Sequence, residues 1–176
     1  MTLEELEHAI RAACDITGDT EVYVFGSQSI LGQIPDPPSA LAMSAEADMC
    51  PRHRTDQTEM LNAIGEGSPF HRTHGFYVHG LPIEEAAVLP ANWQMRTKPL
   101  RLSGSRGTGL CLEVHDLAAS KLVAFREKDR AFVRVLLGAR HLKARTLVAR
   151  IRRLPIAPNV CDRLANWVHR TVQELD

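Results

Sequence analysis

Two acidic residues separated by a single residue, Glu46 and Asp48, form the pair of side chains in this sequence most suited to chemistry. They lie in residues 44–51, where polar and apolar residues alternate. Successive side chains of a strand point to opposite faces, so the alternation predicts a strand with both carboxylates on one face. Such a pair can bridge two Mg²⁺ ions about 3.5–4 Å apart and stabilise the attacking and leaving oxygens of phosphoryl or nucleotidyl transfer. The alternative is the solvated face of an edge strand.

A glycine and a serine, Gly26 and Ser27, follow directly on the β-rich segment 21–25, and residues 28–31 could start a helix. Backbone N–H groups at a helix N-terminus bind phosphate oxygens, and glycine lets a phosphate approach closely. Ser27 can add a hydroxyl donor. The dipeptide therefore predicts a phosphate-binding turn, with an ordinary turn at the end of a strand as the alternative.

The order of apolar strand, Gly-Ser, helix and acid-x-acid strand resembles the nucleotidyltransferase superfamily. Residues 115–132 sharpen the resemblance, since Lys121 followed by Arg126, Lys128 and Asp129 looks like the "Lys, then Arg-x-Lys-Asp" helical region of toxin-type members. Those members are related to the abortive-infection AbiEii and MenT proteins. Over roughly residues 1–140 the chain is most similar to the bacterial group DUF6036.

The resemblance implies an activity and a cofactor. The activity is Mg²⁺-dependent transfer of a nucleoside monophosphate from a nucleoside triphosphate to an acceptor hydroxyl of tRNA, other RNA or protein. Gly26 and Ser27 would hold the nucleotide phosphates, and Glu46 and Asp48 would bind two Mg²⁺ ions. A component of a toxin–antitoxin pair, with a toxin or antitoxin protein as partner, is the corresponding biological expectation.

Further roles are implied for residues later in the chain. Lys121 and Arg126 would contact the triphosphate, and Asp129 matches a later catalytic acid of the toxin-type members. A third carboxylate on a neighbouring strand commonly completes the metal site, and alternation in residues 110–114 makes Glu113 the candidate. The alternatives are a surface salt-bridge array on the helix and an exposed strand position for Glu113.

Two departures from the family pattern motivate a second hypothesis. Glu46 stands where aspartate is usual, and no arginine follows Ser27. A catalytically silent nucleotidyltransferase-fold module that binds a partner protein or nucleic acid would have the same pattern.

Charge is unevenly distributed along a chain that is neutral as a whole. The 176 residues carry 21 basic and 21 acidic side chains, but residues 1–95 hold 14 acids and 4 bases, whereas residues 121–176 hold 5 acids and 13 bases. Net neutrality excludes a general polycation that binds nucleic acid by bulk charge. The basic C-terminal helices are a candidate surface for an RNA acceptor.

The elements that must position these residues follow from periodicity and turn signals. Strands are predicted over residues 21–25, 44–51, 75–81, 99–103 and 110–114, the last two joined by a turn at 103–107. Helices are predicted after Thr2, over residues 55–64 with Met60, Leu61 and Ile64 inward, and from an N-cap at Asp116 to the end. The expected fold is an α/β (α+β) mixed sheet flanked by helices in residues 1–115, with a C-terminal helical region, residues 116–176, packed on it in one compact unit.

The remaining chemistry-bearing residues indicate no further site. The four cysteines form no CxxC pair and are expected to be reduced core thiols. His71, His74 and His79 have no recognised metal-ligand spacing, and residues 65–74, with Arg72, are predicted to form a polar loop over the active site or to contact substrate. No secretion signal or apolar span is evident, so a soluble, cytoplasmic protein without a membrane partner is expected.

Overall fold

The computed structural model describes residues 1–104 and 107–175. The chain forms two compact units, the first made of Met1–Ala86 and Thr97–Leu112 and the second of Ala87–Arg96 and Glu113–Asp176. The units separate the charge of the chain. The first contains 14 acidic and 7 basic residues, a net charge of −7, and the second contains 7 acidic and 14 basic residues, a net charge of +7.

A five-stranded mixed sheet is the centre of the first unit, and its strand order is β3-β2-β1-β5-β4. The strands are β1 (Glu21–Phe25), β2 (Glu46–Pro51), β3 (Tyr77–Gly80), β4 (Lys98–Arg101) and β5 (Thr108–Cys111). β1 runs antiparallel to β2 and parallel to β5, β2 is parallel to β3, and β4 is antiparallel to β5. The predicted α+β class, a mixed sheet flanked by helices, is confirmed.

Helix α1 (Leu3–Thr17) covers one face of this sheet. It begins with a capping box, in which the Thr2 hydroxyl accepts from the Glu5 N–H and the Glu5 carboxylate accepts from the Thr2 N–H. Its apolar side packs on the inward-facing side chains of the central strands, among them Val22, Val24, Ala47, Met49 and Val78. Since Ala47 and Met49 are fully buried on this face, the predicted alternation in β2 is confirmed, and Glu46 and Asp48 lie on the opposite face.

Several local predictions for the first unit are wrong in type or extent. Residues after Gly26 form only a 3₁₀ helix, Ser27–Gly32, and another 3₁₀ helix, Thr55–Ile64, leaves Met60 half exposed while Leu61 and Ile64 are buried. Residues 65–74 are not all loop, because Ser68 caps a short helix α2 (Pro69–His74) through its hydroxyl. The predicted strand over 110–114 ends at Cys111. The turn predicted at 103–107 includes residues 105 and 106, which lie outside the described residues.

The second unit is helical and contains the whole of the predicted C-terminal region, residues 116–176, together with residues 87–96 and 113–115. Its helices are α4 (Val114–Ala124), α5 (Glu127–Gly138), α6 (Ala144–Ile151) and α7 (Pro158–Leu175), with the 3₁₀ helix Trp93–Arg96. The remaining short elements, in the first unit, are α3 (Ile83–Ala86) and the 3₁₀ helix Ser39–Leu41. α4 packs against α5 and α6, and α7 packs against the same two helices. Among the described residues, none of the helices is both long and apolar enough for a membrane span.

All four cysteines are buried and none forms a disulfide. Cys14, Cys50 and Cys111 lie in the first unit, and Cys161 lies in the second. Burial raises the pKa of the Cys14 and Cys50 thiols to about 11 and that of Cys111 to about 12. The expectation of reduced core thiols agrees with this placement.

Candidate metal centre

The face of the sheet opposite α1 brings Glu46 and Asp48 together, as their spacing predicts. In the parallel pair β2–β3, Glu46 lies beside Tyr77 and Asp48 beside His79. The imidazole Nδ1 of His79 is 3.1 Å from Oε1 of Glu46 and 3.2 Å from Oδ1 of Asp48. One ligand atom from each of these three residues lies within 4.8 Å of the other two. The three side chains, called the acid–histidine cluster below, remain partly accessible to solvent.

The electrostatics of this cluster favour a bound cation. Burial and the neighbouring Glu46 carboxylate raise the pKa of Asp48 to about 6, while His79 acts in the opposite direction. The Tyr77 hydroxyl donates to Oε2 of Glu46 at 3.1 Å, and burial together with this carboxylate raises the pKa of Tyr77 to about 12. Two carboxylates and an imidazole are a donor set that divalent metal ions bind, so the residues fit a metal site.

Gly26 places the predicted phosphate-binding turn directly against this cluster. Its backbone has φ 68° and ψ −166°, a conformation that is essentially restricted to glycine. A Cβ atom at this position would lie 2.0 Å from Oδ2 of Asp48. The Asp48 carboxylate therefore occupies space that a side chain at position 26 would fill. The Gly-Ser turn and the acid pair are adjacent, as the resemblance to nucleotidyltransferases implies.

The helix after this turn is shorter and tighter than the sequence suggested. Ser27 begins a 3₁₀ helix of six residues, in which the Ser29 hydroxyl donates to the Gly26 carbonyl at 2.9 Å. Such a short helix has little macrodipole, so phosphate binding at the turn would depend on individual backbone N–H groups. Gln28 is 1% exposed, and neither polar atom of its amide has a hydrogen-bond partner among the described residues. Buried polar groups are normally paired, so the Gln28 amide marks a polar position suited to water or ligand.

A cavity of about 500 Å³ opens beside the cluster. Glu46, Tyr77 and His79 line one part of it, and Asn62 and Glu66 line another. Part of the segment predicted to contact substrate thus borders the cluster. Within that segment, Arg72 donates to the carbonyl of Gly67. The ring of its neighbour His71 contacts the Tyr77 ring at an interplanar angle of 52°, with the ring centroids 4.7 Å apart.

The sequence did not assign His79 to the site, because its proximity to Asp48 depends on the pairing of two strands. The available signal was the Tyr77-Val78-His79 segment, whose polar residues have the same two-residue spacing as Glu46 and Asp48. Tyr77 and His79 contact Glu46 and Asp48 only because β2 and β3 pair in this register.

Glu113, the predicted third carboxylate, has a different position and different partners. It is the N-cap of α4 in the second unit, where its carboxylate accepts from the N–H groups of His115 at 3.1 Å and Asp116 at 3.3 Å. It also contacts Nδ1 of His115 at 2.7 Å, and His115 Nε2 accepts from the Lys143 N–H. Although burial acts to raise it, these hydrogen bonds lower the pKa of Glu113. The predictions of a strand position for Glu113 and of an N-cap at Asp116 are both wrong, since Glu113 itself caps the helix.

Lys121, Arg126 and Asp129 form a charged group within the second unit. Asp129 is 1% exposed, and it accepts from Nε of Arg126 at 2.6 Å and lies 3.6 Å from Nζ of Lys121. The Lys121 ammonium is also 4.5 Å from the centroid of the Phe132 ring. The ion pairs of the salt-bridge alternative are present, but they centre on the buried Asp129 and connect α4 with α5, so they are not a surface array on one helix. Contact of these residues with a triphosphate stays a prediction.

The comparisons with known proteins give no family assignment. No protein-family model, no curated protein and no solved structure matches the chain.

Proposed function

We propose that the protein is a cytoplasmic, metal-dependent nucleotidyltransferase that moves a nucleoside monophosphate from a nucleoside triphosphate to an acceptor hydroxyl. The observation that carries this proposal is the contact of the Asp48 carboxylate with Gly26, while Glu46 lies beside Asp48 on the same strand. A turn suited to phosphates and a carboxylate pair suited to metal are thereby adjacent. This arrangement supports chemistry at a phosphorus atom.

In the proposed reaction, the residues of the first unit position the reactants. Glu46 and Asp48 would hold Mg²⁺. The bound ion would neutralise negative charge on the phosphates and lower the pKa of the acceptor hydroxyl. Backbone N–H groups of the Gly26-Ser27 turn would contact the phosphates, and the Ser27 hydroxyl would donate a hydrogen bond to a phosphate oxygen. Tyr77 orients Glu46 through its hydroxyl, so that the carboxylate is fixed before substrate binds.

Charge supports an RNA acceptor within this proposal. The second unit has a net charge of +7, and ten of its fourteen basic side chains are exposed. Exposed Lys and Arg side chains attract the phosphates of a nucleic acid, and this attraction weakens as salt rises. A toxin–antitoxin setting, in which a second protein controls the activity, is part of the same proposal.

The test uses the purified full chain with Mg²⁺ and each of the four ribonucleoside triphosphates, labelled either at the α- or at the γ-phosphate, together with total RNA or cell extract. Nucleotidyl transfer moves the α-label and not the γ-label to the acceptor. We expect Asp48→Asn to abolish labelling and the exposed-residue control Asp15→Asn to retain it.

Absence of α-labelling with every triphosphate would overturn the proposal, as would labelling that Asp48→Asn leaves unchanged. Retention of RNA without any labelling would instead support the catalytically silent binding module.

A further inference from the structure

We infer that His79 is a third metal ligand of the acid–histidine cluster, through Nδ1, and that the site therefore prefers Mn²⁺ and later first-row divalent ions to Mg²⁺. The inference rests on the proposed function only for the presence of a metal at Glu46 and Asp48.

The donor atoms already have the spacing of ligands on one ion. Two ligands at right angles on a metal, with bonds of about 2.1–2.2 Å, lie about 3.0–3.1 Å apart. The distances from His79 Nδ1 to the Glu46 and Asp48 oxygens are 3.1 and 3.2 Å. An ion could therefore bind between these three atoms with only small movements of the side chains.

The two carboxylates each contact a neighbour that does not belong to the donor set, and strand pairing positions the histidine. The β2–β3 register places His79 opposite Asp48, and the Tyr77 hydroxyl holds Glu46. The space at Gly26 accommodates the Asp48 carboxylate. This last contact is independent of the cluster's internal hydrogen bonds, because it depends on the backbone of the turn that follows β1. Ligands on paired strands, supported in this way, form a preorganised site.

The type of donor determines which ion is preferred. Mg²⁺ takes oxygen ligands and keeps several of its waters, so an imidazole adds little to its binding. Imidazole nitrogen suits first-row transition ions, whose affinities rise from Mn²⁺ through Co²⁺ in the general order. Two carboxylates with one imidazole should therefore favour Mn²⁺ and Co²⁺ over Mg²⁺.

The experiment titrates the chelator-treated full chain with MgCl₂, MnCl₂ and CoCl₂ separately, followed by calorimetry, and records the visible spectrum of the Co²⁺ form. We expect affinity to rise from Mg²⁺ to Mn²⁺ to Co²⁺. Loss of a group that only supports a ligand already costs about 10–100-fold in affinity, so His79→Ala should weaken Mn²⁺ and Co²⁺ binding by at least about tenfold. The same variant should change Mg²⁺ binding little and alter the Co²⁺ spectrum, whereas His79→Asp should shift the preference towards Mg²⁺.

His53→Ala is the matched control. His53 is also an exposed histidine of the first unit, with Nε2 3.0 Å from a Glu21 carboxylate oxygen. This variant should bind all three ions as the wild type does, and thermal melts verify that each variant folds.

The outcomes separate the two proposals. A Mn²⁺ to Mg²⁺ affinity ratio that His79→Ala leaves unchanged overturns the inference, even if α-labelling of an acceptor is observed. A ratio that collapses in His79→Ala supports the inference, even if no triphosphate is transferred.

Discussion

Substitution of Gly26 by alanine tests the contact between the Gly-Ser turn and Asp48. The backbone at Gly26, with φ 68° and ψ −166°, costs a residue with a side chain about 1–3 kcal/mol. In a chain of this length, each kcal/mol lowers the melting temperature by about 2–4 °C. We therefore expect Gly26→Ala to fold and to melt a few degrees below the wild type.

The larger effect should be on function. The new Cβ would lie 2.0 Å from Oδ2 of Asp48, whereas ordinary contacts begin at 3.4 Å, so the oxygen must move by about 1.4 Å, the difference between these distances. Because this oxygen ends a short side chain, rotation relieves most of the steric energy but moves the carboxylate. A displacement of about 1 Å in a reacting group can cost about 100-fold in rate. We expect kcat/KM for acceptor labelling to fall by about 100-fold and metal affinity to fall with it.

Gly75→Ala separates backbone strain from carboxylate displacement. Gly75 also has a positive φ, 80°, but no atom of the described residues lies within 4 Å of a Cβ built there. It should lose stability while keeping metal affinity and labelling rate. Thermal melts, metal titrations and labelling rates are measured on both variants. If Gly26→Ala matches Gly75→Ala in metal affinity and in rate, the reasoning that Gly26 positions Asp48 is refuted.

Three further predictions concern aspartates that are buried or partly buried. Asp48→Asn should raise the melting temperature of the metal-free protein at pH 7, because burial and Glu46 raise the pKa of Asp48 to about 6. The wild type should correspondingly gain stability as pH falls from about 6 to 4. Equal melting temperatures of the variant and the wild type at pH 7 would contradict this prediction. Asp19→Asn should cost about 1.5–3 kcal/mol in urea unfolding at pH 7, since Asp19 accepts from three backbone N–H groups that lower its pKa against the effect of burial. This contribution starts to decrease as pH falls below about 4 and is lost as pH passes through the lowered pKa, so a cost that does not decrease as pH falls would refute the assignment. Asp129→Asn removes the negative charge that Arg126 and Lys121 contact, and it should destabilise the second unit by about 1.5–3 kcal/mol. Fluorescence of the chain's two tryptophans, which both lie in this unit, measures the effect, and an unchanged unfolding curve would contradict a structural role for Asp129.

The carboxylate pair was predictable because its information is local. Alternation in β2 has a period of two, and the full burial of Ala47 and Met49 determines which face Glu46 and Asp48 occupy. The third donor was not predictable in the same way. His79 is 31 residues from Asp48 in the chain, and the two meet only because β3 pairs with β2 in a particular register.

Glu113 shows how a local pattern can mislead. The alternation over residues 110–114 continues past Cys111, but the strand ends there, and the next residues must begin a helix. The first N–H groups of a helix have no partners within it, and the Glu113 carboxylate accepts from two of them. Capping therefore decides the position of this side chain. The short helix after Ser68 was missed although Ser68 and Pro69 are a recognisable start signal, because the glycines and histidines around it indicated a loop.

The four buried thiols give the chain its own probes of local opening. A buried thiol reacts only when the structure around it opens. Cys161 is the single cysteine of the second unit, and the other three lie in the first. The rate at which a maleimide or disulfide reagent modifies each cysteine, read by peptide mass, therefore measures the opening free energy of each unit separately. The wild-type sequence permits this measurement without an introduced label.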